Sequence, residues 1–199
     1  MLVTGKRPPV LDDFTRRLDL LVRQHTSDGR ADDAAVVQAT HPHLAKLIED
    51  IGWLDERYRQ PGQGDAAAYL LAKAPDDCWT VVSVVFPPGY STPVHDHLIW
   101  GLVGVCQGLE EESSYERLDD GSRPGFARLR YVGTAKNEPG AISHVVPPDQ
   151  EIHSIHNPLD GPSCSIHVYG GQLDRMPRHR YDPENNAVHD YQTAYAPDR

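Results

Sequence analysis

The sequence predicts a mainly β fold, an antiparallel barrel or sandwich, with helices from the N-terminal segment packed on its outside. Apolar residues recur at helical spacing before residue 60. From about residue 65 the chain changes to short β-branched, apolar runs. Pro, Gly, Asn and Asp separate those runs at regular intervals, as in closed or layered antiparallel sheets.

The helical part comes first. Leu11, Phe14, Leu18, Leu21 and Val22 trace one helix face, and Asp12 and Asp13 stand in the first turn, where the helix dipole favours negative charge. Leu44, Leu47, Ile48 and Ile51 repeat the spacing, and Ala31 to Thr40 predicts a further short helix. QPGQGD at 60–65 reads as a turn. CWTVVSVVF then predicts a buried strand, followed by strands in LIWGLVGVCQG and SYERL. DDGSRPG reads as a hairpin turn with FARLRYVG as the returning strand. AISHVV, EIHSIHN and SCSIHVYG complete the series. The expected organisation is one domain: a helical segment at 1–65, a barrel at 66–180 and a polar tail without periodicity at 181–199.

Composition narrows the class. The chain has 199 residues, 39% hydrophobic and 24% charged, which suits one globular core and excludes a coiled coil, a collagen-like fibre or a wholly disordered chain. No apolar run approaches the ~20 residues of a membrane-spanning helix. The first residues, MLVTGKRPPVLDDF, lack the apolar stretch of a secretory signal. Nineteen basic against twenty-nine acidic residues give a net charge of −10, so neither nucleic acid nor membrane is an expected partner. The cysteines, Cys78, Cys106 and Cys164, are three in number and form no C-x-x-C, which predicts a reducing, cytoplasmic setting and buried, apolar roles.

The eleven histidines are the unusual count. In PVHDHLIWG, His95 and His97 stand at i and i+2, so on a strand both leave the same face about 6–7 Å apart. Two imidazoles so placed converge on an ion with metal–nitrogen bonds of about 2.1 Å. EIHSIHN supplies His153 and His156, of which His156 at i+3 points to the opposite face. In SCSIHVYG, Ser165, His167 and Tyr169 alternate and share one face, a pattern that suits either a catalytic chain or a satisfied polar core cluster. His25, His41, His43, His144, His179 and His189 read as helix or loop residues with surface exposure.

Order and spacing add a resemblance. Gly89-x5-His95-x-His97-x3-Gly101-x6-Gly108 resembles the first motif of the cupin family, a jelly-roll barrel (double-stranded β-helix) that holds metal by histidines on interior strands. His153-x3-Asn157 resembles the end of its second motif, which carries the last histidine ligand. Gly101 replaces the usual Glu, leaving three neutral imidazoles and no carboxylate. Together with Ser163 to Gly170, these segments make the chain similar to the cysteine dioxygenase family of thiol dioxygenases. The bacterial branch that includes 3-mercaptopropionate dioxygenases is nearest. The resemblance implies Fe(II) held by His95, His97 and His153, and a hydrogen-bonded relay of Ser165, His167 and Tyr169 beside it. It further implies a small-molecule thiol and O2 as reaction partners and a sulfinic acid product; the sequence leaves the oligomeric state, monomer or small homo-oligomer, open.

The sequence departs from that pattern in two places. Gly101 cannot form the Cys–Tyr cross-link of the animal enzymes. Where relatives carry an Arg or Gln that anchors the substrate carboxylate, this chain has AAAYLLA, with Ala68 or a neighbour at the matching position. Arg175 or Arg178 is expected to supply the charge instead, and Trp100 to line or close the pocket. Small residues at the anchor position also suit a bulkier thiol such as ergothioneine. Two other readings share the same ligand spacing: a metal-dependent cupin isomerase or lyase using Zn(II), Mn(II) or Ni(II), and a non-catalytic metal-binding sensor.

Overall fold

The structure, a computed structural model, describes residues 7–62 and 65–196. Helix α1 (Pro9–Gln24) opens with a proline in its first turn, where the missing N–H costs no hydrogen bond. Two short strands, β1 (Thr26–Ser27) and β2 (Arg30–Ala31), form a small hairpin before α2 (Asp33–Glu49). The Asp32 side chain caps α2 by accepting from the Ala35 N–H at 3.1 Å. The sequence suggests two helices here, at 31–40 and near 44–51, but α2 is continuous through Pro42. Pro42 lies on the solvent side, so the ladder bond it lacks opens toward water while Val36, Val37, Thr40, Leu44, Leu47 and Ile48 keep one face buried. Of QPGQGD, residues 63 and 64 lie outside the described residues; the Gly62 N–H donates to the Asp65 carbonyl at 3.0 Å, closing the turn.

Eleven strands follow: β3 (Ala67–Lys73), β4 (Thr80–Phe86), β5 (Val94–His95), β6 (Gly101–Gln107), β7 (Glu110–Arg117), β8 (Leu129–Asn137), β9 (Ile142–Val145), β10 (Ile152–His156), β11 (Ser163–Tyr169), β12 (Arg178–Asp182) and β13 (Ala187–Tyr191). They make a five-stranded sheet ordered β3-β4-β11-β6-β9 and a six-stranded sheet ordered β13-β12-β5-β10-β7-β8. The pairing is nested. β7 pairs with β8, β6 with β9, β5 with β10 and β4 with β11, all antiparallel. A long hairpin whose two arms cross repeatedly between two sheets is the jelly-roll wrap of the double-stranded β-helix. The fold is therefore the cupin-type barrel, with the helices outside it.

The apolar core lies mainly outside that barrel. Leu11, Phe14 and Leu18 of α1 and Leu44, Leu47 and Ile48 of α2 pack with Val81, Val85, Leu102, Ile166 and Val168, which leave the outer face of the five-stranded sheet. The close approach passes over Gly104 of β6: a Cβ there would stand 2.9 Å from Ile48 Cδ1 and 3.3 Å from Leu44. The opposite face of the same sheet carries Val82, Val84, His167 and Tyr169 into the barrel.

The segment expected to be a C-terminal tail from residue 181 is instead structured to Tyr191. β12 and β13 form a hairpin, and β12 pairs with β5 so that Arg180 lies opposite His95. These strands are polar and half-solvated, so they lack the apolar alternation that marks a strand in sequence. His144, His179 and His189 accordingly lie in β9, β12 and β13, not in helices or loops. Among the described residues no helix is long and apolar enough to cross a membrane.

Gly104→Val wedges a side chain between β6 and α2. It is expected to lower stability by about 1–3 kcal/mol, the usual cost of overpacking, read as a drop in the urea midpoint with an unchanged slope.

Candidate metal centre

His95 ends β5, and His97 lies two residues on, in the loop before β6. His153 is on β10, directly opposite His95 in register. The three rings are buried with centroids 4.8–5.0 Å apart, and one ring nitrogen from each lies within 4.8 Å of the others. His97 therefore reaches the cluster from a loop, not from the extended strand that the H-x-H spacing suggests. Leu98 explains the exit: its φ of 59° is left-handed, rare for a leucine, and turns the chain away. Glu151 holds this turn by accepting from the Leu98 N–H at 2.6 Å and the His97 N–H at 3.3 Å.

The outward-facing nitrogens fix the tautomers. His95 Nδ1 lies 2.9 Å from the Pro93 carbonyl, which can only accept, so His95 Nε2 keeps its lone pair. His153 Nδ1 lies 2.6 Å from Glu112 Oε1, so its Nε2 is the nitrogen that faces the cluster. His153 Nε2 and His97 Nε2 are 2.9 Å apart, and His97 Nδ1 is buried without a partner. Nitrogen donors 2.1 Å from one metal and at right angles to each other would be about 3.0 Å apart. Burial holds His95 and His97 well below the ordinary imidazole pKa, and the neighbouring imidazoles and Arg178 add to that lowering. Three buried, inward-facing imidazoles at this spacing fit a divalent metal.

The residues around the cluster explain its rigidity. Burial pushes the Glu112 carboxyl up, but the hydrogen bond and charge of His153, with the bond from Asn137, outweigh it, and the group stays below its usual value. Asp96, between the two ligand histidines, points away from the cluster. Its carboxylate accepts from the His179 N–H at 2.8 Å and the Tyr181 hydroxyl at 2.8 Å, with His179 Nδ1 at 2.7 Å. Asp96 thus ties the ligand loop to β12. Asn157, with its side chain fully buried, donates to the carbonyls of Phe86 and Gly161 and shapes the turn between β10 and β11.

Ser165, His167 and Tyr169 share the inner face of β11. Ser165 Oγ lies 2.8 Å from His167 Nε2, and His167 Nδ1 lies 2.6 Å from the Tyr169 hydroxyl. Burial lowers His167 to about 3 and raises Tyr169, so at neutral pH the imidazole is neutral and the phenol keeps its proton. The Tyr169 ring stacks on His97 with centroids 5.3 Å apart and an interplanar angle of 23°. It also fills the space beside Gly101, where a Cβ would come within 2.7 Å of Tyr169 Cδ1. Glycine at this position and tyrosine on β11 are therefore one packing choice.

A cavity of about 250 Å³ opens on the three histidines, lined also by Ala68, Val82, Tyr169, Arg178 and Tyr191. Arg178 is its only lining cation among the described residues. Its guanidinium donates to the Asp96 carbonyl at 3.0 Å and to Thr193, and lies 5.1 Å from the centre of the Tyr191 ring; its buried Nε has no partner. Two expected pocket residues stand elsewhere. Trp100 shares the outer-face parity of Leu102, so it packs in the helix-side core against Gly170 and does not line this cavity. Arg175 is exposed and reaches Asp77 at 3.4 Å. His156 bonds to Ser91 on the rim, away from the cluster. Of the cysteines, Cys164 is buried, while Cys78 and Cys106 are half-buried. Sequence reasoning missed Asp96, Glu112, Glu151 and Glu110; the signal for the glutamates on β7 was Glu110 and Glu112 at i, i+2 beside a buried strand.

No family model matches the chain. Solved structures with partial likeness include a conserved protein with a double-stranded β-helix domain from Klebsiella pneumoniae. It is 16% identical, with 69% of this chain and 88% of that one covered and a TM-score of 0.44. A cupin-superfamily sugar phosphate isomerase from Silicibacter pomeroyi is 16% identical over 57% of this chain and 67% of its own, at 0.38. An oxalate oxidase in complex with glycolate is 15% identical over 56% of each chain, at 0.42. Likeness at this level says nothing about activity. The fold rests on the nested strand pairing, and the metal centre on its own three histidines.

His153→Ala is expected to abolish divalent metal binding, and Glu112→Gln to weaken it about 10–100-fold by loosening the His153 ring. Titration calorimetry with Fe(II) under anaerobic conditions checks both.

Proposed function

We propose that this chain is a non-haem Fe(II) thiol dioxygenase that converts a small thiol acid to its sulfinic acid. The supporting observation is the histidine cluster: three buried imidazoles without a carboxylate, beside the chain from Ser165 through His167 to Tyr169. The reaction balances as RSH + O2 → RSO2H, with both oxygen atoms added to sulfur and four electrons taken from it, so no other reductant is needed. Bound Fe(II) would supply a coordination site for the thiolate and for O2, and three neutral ligands leave it the full +2 charge that favours an anionic sulfur.

The protein's own groups supply the rest. Tyr169 keeps its proton through burial and presents a hydroxyl to the cavity, where it stabilises charge developing on oxygen. His167 orients that hydroxyl, and Ser165 orients His167. Arg178, the one cation lining the cavity among the described residues, binds the substrate carboxylate in this reading and replaces the anchor that Ala68 cannot provide. Ala68, Val82 and Val84 give the substrate's carbon chain an apolar wall. A single cation and a cavity of this size suit thiols of the 3-mercaptopropionate or cysteine class.

Anaerobic loading with Fe(II), then oxygen-electrode and product measurements over a panel of 3-mercaptopropionate, cysteine, ergothioneine and 2-mercaptoethanol, tests the reading. One O2 consumed per sulfinate formed is expected. Metal-dependent turnover without O2 would favour an isomerase or lyase, and binding without turnover a sensor. Tyr169→Phe should keep its iron and lose about 10²-fold or more in kcat. Arg178→Met should raise KM for the thiol acid about 10–100-fold and leave KM for 2-mercaptoethanol unchanged.

A further inference from the structure

Glu110 has no part in the chemistry described so far. It begins β7, is 1% exposed, and projects to the same side as Glu112, two residues on. Its carboxyl stands near the hydroxyls of Ser163 and Ser165, both fully buried on β11, with no hydrogen bond closed to either in this structure. Two polar atoms here lack partners: Glu110 Oε1 and Ser163 Oγ. The carboxyl therefore stands at the inner end of the row that runs through Ser165 and His167 to Tyr169.

Each member of that row both donates and accepts, so the row has two directions. With Glu110 ionised, Ser165 donates to the carboxylate, His167 Nε2–H donates to Ser165, and the Tyr169 hydroxyl donates back to His167 Nδ1. The Tyr169 proton is then turned away from the cavity. With Glu110 protonated, every bond reverses: the acid donates to Ser165, Ser165 to His167 Nε2, and His167 Nδ1–H to the Tyr169 oxygen. The Tyr169 proton is then free to point at the cavity. We infer that Glu110 is a positioning residue whose protonation sets the direction of this row and so decides whether Tyr169 donates to a bound reactant.

Burial raises the Glu110 carboxyl to about 7, against the pull of Ser165 and Ser163 and with help from the charge on Glu112. The other ionisable groups facing it are Cys106 on β6 and Cys164 and Tyr169 on β11. Burial raises Tyr169, and the contact with Cys164 and burial raise Cys106, so neither loses its proton near neutrality. Cys164 is lowered chiefly by its contact with Cys106. His167, lowered to about 3, stays neutral and changes only its tautomer.

The donating role of Tyr169 rests on the reaction proposed above, but the tautomer does not, and it can be read without turnover. In the full chain, ¹⁵N-histidine NMR of the metal-free and Zn(II)-loaded forms, assigned with His167→Gln, follows both ring nitrogens from pH 5.5 to 8.5. The expected result is a change from the Nδ1–H to the Nε2–H tautomer as pH rises through about 7. Glu110→Gln should hold one tautomer throughout. Ser165→Ala, which interrupts the row but leaves Glu110 in place, should also remove the pH dependence and serves if Glu110→Gln does not fold. A wild-type tautomer that never changes, or one that still changes in either variant, overturns the inference. A tautomer that changes in a chain that oxidises no thiol overturns only the proposed reaction.

Discussion

Strand β11 is the constraint on which the rest depends. All seven of its residues are buried, yet its two faces meet different surroundings. Cys164, Ile166 and Val168 join the apolar core under the helices, while Ser165, His167 and Tyr169 enter the barrel. Strand geometry allows this because side chains alternate strictly. A one-residue slip in register would put polar groups under α2 and apolar ones around the three histidines. The large apolar area outside the barrel fixes that register. The stability of the helical layer thus maintains a polar interior that could not hold itself together by burial alone.

Acidic residues organise the centre without being ligands in it. Glu112 orients His153, Glu151 accepts from the backbone of the ligand loop, and Asp96 ties that loop to the C-terminal hairpin. Although residue 101 is a glycine and no carboxylate stands among the three histidines, negative charge remains in the neighbourhood. That charge stands one hydrogen bond further out, where Glu112 orients the His153 ring. The stacking of Tyr169 on His97 links Gly101 to the Ser165–His167–Tyr169 row, since any side chain at residue 101 would occupy the space of that ring.

Much of this was legible in the sequence because it depended on local spacing. The i, i+2 pattern of β11 and the hairpin between β7 and β8 follow from period-two geometry and turn residues, whereas the H-x-H pair was legible as a pair although His97 reaches the cluster from a loop. What was not legible depended on nonlocal partners. Trp100 reads equally well as lining a pocket or packing in a core until the parity of β6 relative to the helices is known. Asp96 looks like a spacer between two histidines, and only the return of β12 gives it partners 83 and 85 residues away. That hairpin was itself hidden, because a polar, half-solvated strand has no apolar period to detect. Glu110 and Glu112 are embedded in a run of three glutamates that reads as solvated charge, although two of them face the interior.

The brace between Asp96 and His179 also sets an order of events during synthesis. A ribosome adding 5–20 residues per second needs roughly 4–17 s to proceed from one to the other. For most of that interval His95 and His97 exist as a nascent loop, without the imidazole opposite or the strand that secures them. Assembly of the three-histidine cluster is consequently a late step in biogenesis, scheduled by translation.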